Sequence, residues 1–147
     1  MDILSKLPER LKELMFYKGV NAPALAQAIN VGSNTITRYM QGVSLPKFEI
    51  FIRLVDYFHC SADFLLGLSD DPKHEQNYLP TPPFSVQFRN SLQQNNYSQY
   101  SVQKISQISW NNFHFWLNGI RLPYLDSLVK LAQAMDISVD FLLGRIT

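Results

Sequence analysis

The chain has 147 residues, 46% of them hydrophobic and 13% aromatic, and a net charge of +1. That composition can fill packed cores and argues against disorder, while near-neutrality excludes a broadly polycationic binder, so any nucleic-acid site must be a local patch. Cys60 is the one cysteine, and His59, His74 and His114 fall at no metal-ligand spacing, which excludes a disulfide framework and a metal centre.

The first element predicted is a helix. Ile3, Leu7, Leu11, Leu14 and Met15 recur at spacings of three and four, Pro8 stands near the first turn, and Gly19 is a natural stop. The opening Met1-Asp-Ile-Leu-Ser-Lys lacks the basic stretch and apolar run of a secretory signal. Apolar runs such as Ile50-Phe-Ile52 are broken by Arg53 and Asp56, so no membrane span is predicted and a soluble cytoplasmic protein is expected. Asn21 can cap a second helix with Pro23 in its first turn and Leu25, Ala26 and Ile29 as its buried stripe. Asn30 suits a left-handed turn, Val31 plugs it, and Gly32 or Ser33 opens a third helix with Ile36, Tyr39 and Met40 inside and Gly42 at its end. A loop through Pro46 leads to a fourth helix carrying Ile50, Phe51, Leu54, Val55 and Phe58. Ser61 then caps a short fifth, Asp63 to Leu66.

The run from Asn21 to Gly42, Asn-Ala-Pro-Ala-Leu-Ala-Gln-Ala-Ile-Asn-Val-Gly-Ser-Asn-Thr-Ile-Thr-Arg-Tyr-Met-Gln-Gly, resembles the helix-turn-helix of the phage-repressor (Xre/Cro-like) family, and the likeness extends from Pro8 to Gly67. The resemblance implies an all-α, five-helix, lambda-repressor-like domain whose third helix enters the DNA major groove. It implies that Ser33, Asn34, Thr35, Thr37 and Arg38 line the recognition side, with Arg38 suited to guanine and Asn34 to adenine. The N–H groups near Asn21 and Ala22 are expected to hold a phosphate, and Lys47 another. The family commonly has Gln where Ala22 stands, so one of its contacts is in doubt here.

Residues 71–83 follow as a Pro-rich linker, predicted to be extended and able to reach about 40 Å at roughly 3.1 Å per residue. Successive turns of DNA present equivalent faces about 34 to 36 Å apart, and the same reach suits exchange across a homodimer. Tyr78 and Leu79 are candidates to pin it to a domain surface.

From residue 84 the pattern begins again. Tyr39–Asp70 and Trp116–Thr147 align at an offset of 77 with ten identities in 32 pairs, ending in Phe64-Leu-Leu-Gly67 and Phe141-Leu-Leu-Gly144. The chain is therefore read as two tandem five-helix domains, 1–70 and 84–147, the second divergent. Phe84, Phe88 and Leu92 give its first helix, Asn95-Asn96 the stop, and Ser98-Gln99 the next start, with Val102, Ile105 and Ile108 as the apolar stripe. Gln103 replaces Ala26, so either the helix crossing widens or the helix rotates. Its third helix places Phe113 and Trp116 inside and Trp110, Asn111, His114 and Phe115 outside, with no Lys or Arg among them; Arg121 is the nearest cation. Two readings stay open. Either Gln99, Asn111, Asn112, Phe115 and Arg121 meet a second DNA half-site, or the aromatic side is a protein contact, most simply a dimer interface, which the missing charge and Gln103 favour. Trp110 and Phe115 could also merely fill a rotated core.

The function expected is a sequence-specific double-stranded DNA-binding transcriptional regulator of bacterial or phage origin, a repressor acting as a homodimer. The alternative is a helix-turn-helix scaffold that binds a protein partner through its second domain. No carboxylate pair, Ser/His/Asp set or glycine-rich phosphate loop stands out, so neither enzymatic activity nor a cofactor is expected.

Overall fold

Local chemistry sets several of the helix boundaries, with side-chain caps opening α-helices at Ala22, Ala62, Gln99, Trp110 and Val139. The computed structural model describes residues 3–147, with side chains from Ser5 onward; the expectations for Met1, Asp2 and the Ile3 side chain lie outside the described residues. A 3-10 turn over Ile3–Lys6 leads into α1, Leu7–Lys18. Pro8 sits in its first turn, and Gly19 closes it at φ 74°, its N–H donating to the Met15 and Phe16 carbonyls. Next come α2 (Ala22–Ile29), α3 (Ser33–Met40), α4 (Phe48–Phe58) and α5 (Ala62–Leu65). The fifth helix was expected from Asp63; Ser61 Oγ, accepting the Phe64 N–H at 3.3 Å, starts it one residue earlier.

A second series follows: α6 (Phe84–Gln94), α7 (Gln99–Ser106), α8 (Trp110–Leu117), α9 (Leu125–Met135) and α10 (Val139–Leu142). Each begins 77 residues after its counterpart. Left-handed backbone positions recur at the same offset: Asn30 and Gln107, His59 and Asp136, Gly19 and Asn96, Gly42 and Gly119. A side chain in that region costs about 1–2 kcal/mol. Of the non-glycine residues at these turns, Asn30, His59, Asn96 and Asp136 are of the types that adopt this region most readily, and Gln107 is the exception.

The helices gather into two compact units, Met1–Gln76 and Asn77–Thr147, each described by itself. In the first, α1 lies on α3 and α5 while α2 packs against α3 and α4. Leu7, Leu11, Leu25, Ile36, Phe51 and Leu54 fill the space between them, each worth about 1.5–3 kcal/mol when fully buried. In the second, α6 packs on α8 and α10, and α7 on α9, around Phe88, Phe113, Leu128 and Leu142.

The second unit corrects the expected stripe of α7. Ile105 is 61% exposed, and Ser106 is buried in its place. Val102 and Ser106, four apart, share the inner face, and Ser106 stands 77 residues after the buried Ile29. The Ser106 hydroxyl donates to the Gln103 carbonyl at 3.3 Å, so a polar group is tolerated there.

The Pro-rich segment is no free spacer, and the expected 40 Å reach is corrected accordingly. Its first half is fixed to the first unit. The Ser61 N–H donates to the Pro72 carbonyl at 2.8 Å, and the His74 ring lies flat on Tyr17 at 4.7 Å. His74 Nδ1 meets the His59 carbonyl at 3.0 Å, and His59 Nε2 meets the Gln76 carbonyl at 2.8 Å, so each of these ring nitrogens carries a proton. The second half is fixed to the second unit. The Leu79 N–H donates to the Arg145 carbonyl at 2.8 Å, and the Tyr78 ring covers the Arg145 guanidinium at 4.2 Å. Arg145 is 0% exposed and pairs with Asp140 at 2.6 Å.

Candidate nucleic-acid interface

In the first unit the site is the corner between α2 and α3. Asn21 Oδ1 accepts the Ala24 N–H at 2.9 Å and fixes the start of α2. Asn30 turns the chain at φ 61°, the Val31 N–H donates to the Ala26 carbonyl at 2.9 Å, and buried Ala26 lets α2 and α3 approach closely. Burial of Ile36 and Tyr39 then sets the rotation of α3; the same burial pushes the Tyr39 phenol above its ordinary pKa. Ser33, Asn34, Thr37 and Arg38 consequently lie exposed together on the other side. Thr37 Oγ1 donates to the Ser33 carbonyl at 3.2 Å, which leaves its lone pairs to accept. Thr35 is half-buried. Lys47 is exposed at the start of α4.

The phosphate cradle expected at Asn21 and Ala22 is narrower than the sequence suggested. Pro23 has no N–H and Asn21 occupies that of Ala24, which leaves Ala22 as the first-turn donor. The matching corner of the second unit is more open. Ser98 Oγ caps Ser101 at 3.0 Å, and the first two residues of α7, Gln99 and Tyr100, are exposed and both bear N–H groups.

Gln103 widens the second corner: α7 packs chiefly on α9 and makes few close approaches to α8. Its amide donates to the Ile108 carbonyl at 2.6 Å, filling the gap with a hydrogen bond to the turn. Ser109 Oγ accepts the Asn112 N–H at 3.2 Å to begin α8, and Phe113 and Trp116 are buried. Asn111, Asn112 and His114 are exposed. Trp110 is 41% exposed, edge-on to Phe113 at 5.9 Å and stacked on His114 at 5.2 Å. Phe115 is half-buried. Its carbonyl accepts the N–H groups of Ile120 at 2.9 Å and Arg121 at 3.4 Å, and the exposed Arg121 guanidinium lies over its ring at 4.7 Å. The sequence named both residues but not their pairing.

Among the described residues no group of three or more His, Cys, Asp and Glu side chains could hold a metal ion, and no helix is long and apolar enough to cross a membrane.

Residues 87–147 match the Cro/C1-type helix-turn-helix DNA-binding domain. The chain is also similar to the HTH-type transcriptional regulator ImmR of Bacillus subtilis (strain 168), at 27% identity over 73 residues covering 50% of this chain and 58% of that protein. It thus spans somewhat more than half the length of this curated relative. No solved structure matches the chain. The matched residues lie within the second unit, whose α8 contains no Lys or Arg.

Proposed function

We propose, taking the Cro/C1-type domain at residues 87–147 as the premise, that the chain is a sequence-specific double-stranded DNA-binding transcriptional regulator acting as a dimeric repressor. It is built from two tandem helix-turn-helix domains of the same family and is not an enzyme. One observation carries this reading: α3 buries Ile36 and Tyr39 and turns Ser33, Asn34, Thr37 and Arg38 outward as one group. The major groove admits one α-helix, and these side chains supply the donors and acceptors that distinguish base edges. Arg38 takes a guanine and Asn34 an adenine. Lys47 and the Ala22 N–H hold phosphates and fix register. In the second unit Gln99, Asn111 and Asn112 face the second half-site.

Selection of bound sequences from a random duplex library by the full chain tests the reading. Enrichment of a paired motif is expected, with affinity falling at a slope of about −0.9 in log–log salt per phosphate neutralised. No enrichment at any salt would refute it.

A second reading, an interaction module that binds a partner protein, draws on the apolar side chains beside α8. Ile120, Leu122 and Tyr124 are all exposed, and contact through them would respond little to salt.

A further inference from the structure

The helix that would read DNA in the second unit lacks the cation that Arg38 provides in the first. At the equivalent position, 77 residues on, stands Phe115. That replacement does not leave the face uncharged. The chain leaves α8, turns at Gly119 (φ 71°) and comes back so that the Ile120 and Arg121 N–H groups both donate to the Phe115 carbonyl. The Arg121 side chain then lies across the Phe115 ring, its guanidinium carbon 4.7 Å from the centroid. In the first unit Val43, the counterpart of Ile120, bonds the Arg38 carbonyl in the same way at 3.0 Å, but the next residue is Ser44. The second unit has thus exchanged an arginine on the helix for an aromatic platform and an arginine in the loop.

We infer that Arg121, held over the ring of Phe115, is the specificity-determining cation of the second unit and reads a guanine, with Phe115 as its positioning residue. A cation–π contact suits the task because the ring attracts the guanidinium without using a hydrogen-bond acceptor, so its N–H donors are not spent on the contact and can meet an acceptor pair such as guanine O6 and N7. It also restricts a long side chain before binding, so less rotamer freedom is lost on contact. A free arginine in this loop would reach phosphates but would choose poorly among bases.

The inference rests on the proposed DNA-binding function, so its test must separate the two. The probe is the duplex selected from a random library by the full chain, measured with Arg38→Ala as background to isolate the second unit. Arg121→Ala is expected to lower affinity roughly 5- to 100-fold and to erase one guanine preference. Arg121→Lys should keep the salt slope yet lose that preference, since an ammonium contacts phosphate but cannot make the bidentate pair. Phe115→Leu should lose the same preference with little change in salt slope, while Phe115→Tyr, which keeps the platform, should retain it. Uniform weakening on every duplex in Arg121→Ala, with a salt slope reduced by about one contact, would make Arg121 a phosphate anchor and overturn the inference. So would a guanine preference that survives Phe115→Leu. Thermal unfolding of Phe115→Leu by circular dichroism reports whether the second unit still folds; in either case Arg121→Lys, whose exposed side chain supports no core, decides the matter. If the full chain enriches no duplex, the proposed function fails. If it enriches one that no Arg121 variant alters, the function stands and the inference falls.

Discussion

Replacing Arg145 by Leu, the residue at the equivalent position 68 of the first unit, should destabilise the second unit severely. The guanidinium is 0% exposed, bonded to Asp140 at 2.6 Å and covered by Tyr78 at 4.2 Å. Asp140 is itself 4% exposed, so the substitution strands a carboxylate without its cation. Breaking a buried pair from one side costs about 3–5 kcal/mol. A unit of about 70 residues has only about 4–10 kcal/mol in total, at roughly 0.05–0.15 kcal/mol per residue. The chain's two tryptophans, Trp110 and Trp116, both lie in the second unit. Tryptophan fluorescence during urea unfolding of the full chain therefore reads that unit alone. With a slope of about 2 kcal/mol per molar urea, the midpoint should drop by roughly 1.5–2.5 M. Asp140→Leu combined with Arg145→Leu removes both charges and should recover most of the loss. A single-variant cost below about 1 kcal/mol, or a double variant as unstable as the single, would show that the stranded charge is not what matters.

Arg38→Ala should weaken specific binding by about 1–3 kcal/mol and relax preference at one base, as read by competition between duplexes. Gly144→Ala places a Cβ 2.8 Å from Pro82 Cδ at a backbone φ of +77°; a cost of about 1–3 kcal/mol is expected in the same fluorescence assay, with faster hydrogen exchange at the Leu79 amide. Gln103→Ala restores the small residue of the first unit but leaves the Ile108 carbonyl without its 2.6 Å donor, so a loss of about 1 kcal/mol is expected rather than a gain. The hydrogen bond from Arg10, its charge and that of Lys6 together hold the Asp70 carboxyl below its ordinary 3.8. Its contribution to the first unit is therefore complete above the usual carboxylate range and disappears as pH falls through the lowered value. Asp70→Asn should lie below the parent in thermal midpoint at pH 6 and converge with it in strong acid, monitored by far-UV circular dichroism.

The elements were legible where their causes are local. Asn21, Ser61, Ser98 and Ser138 each cap a helix whose start depends on one side chain and the three residues after it. Ile105 lies outside because helical register outweighs hydrophobicity there; the 77-residue offset pairs Ser106, not Ile105, with the buried Ile29. What could not be read was contact across long stretches of chain. Nothing local to Tyr78 announces Arg145, and nothing in a Pro-rich run announces that Pro72 and Leu79 bond backbone groups in different units. The one hint was chemical: an arginine at position 145, where the repeat offers Leu68, five residues after an aspartate. On the candidate interface, the exposed residues of α3 are those the family resemblance implies, apart from the half-buried Thr35, whereas the Phe115–Arg121 pairing depends on how a loop closes.

The division of the Pro-rich segment has a consequence for dissecting the chain into parts. A fragment ending at residue 70 would lose the Pro72 carbonyl that accepts the Ser61 N–H and the His74 ring that lies on Tyr17. One beginning at residue 84 would uncover Arg145 by removing Tyr78. Low solubility or weak binding of such fragments would reflect torn edges, not the properties of the domains. The seam is between Gln76 and Asn77, and pieces cut there keep the Pro72 and His74 attachments on one side and the Tyr78 and Leu79 attachments on the other.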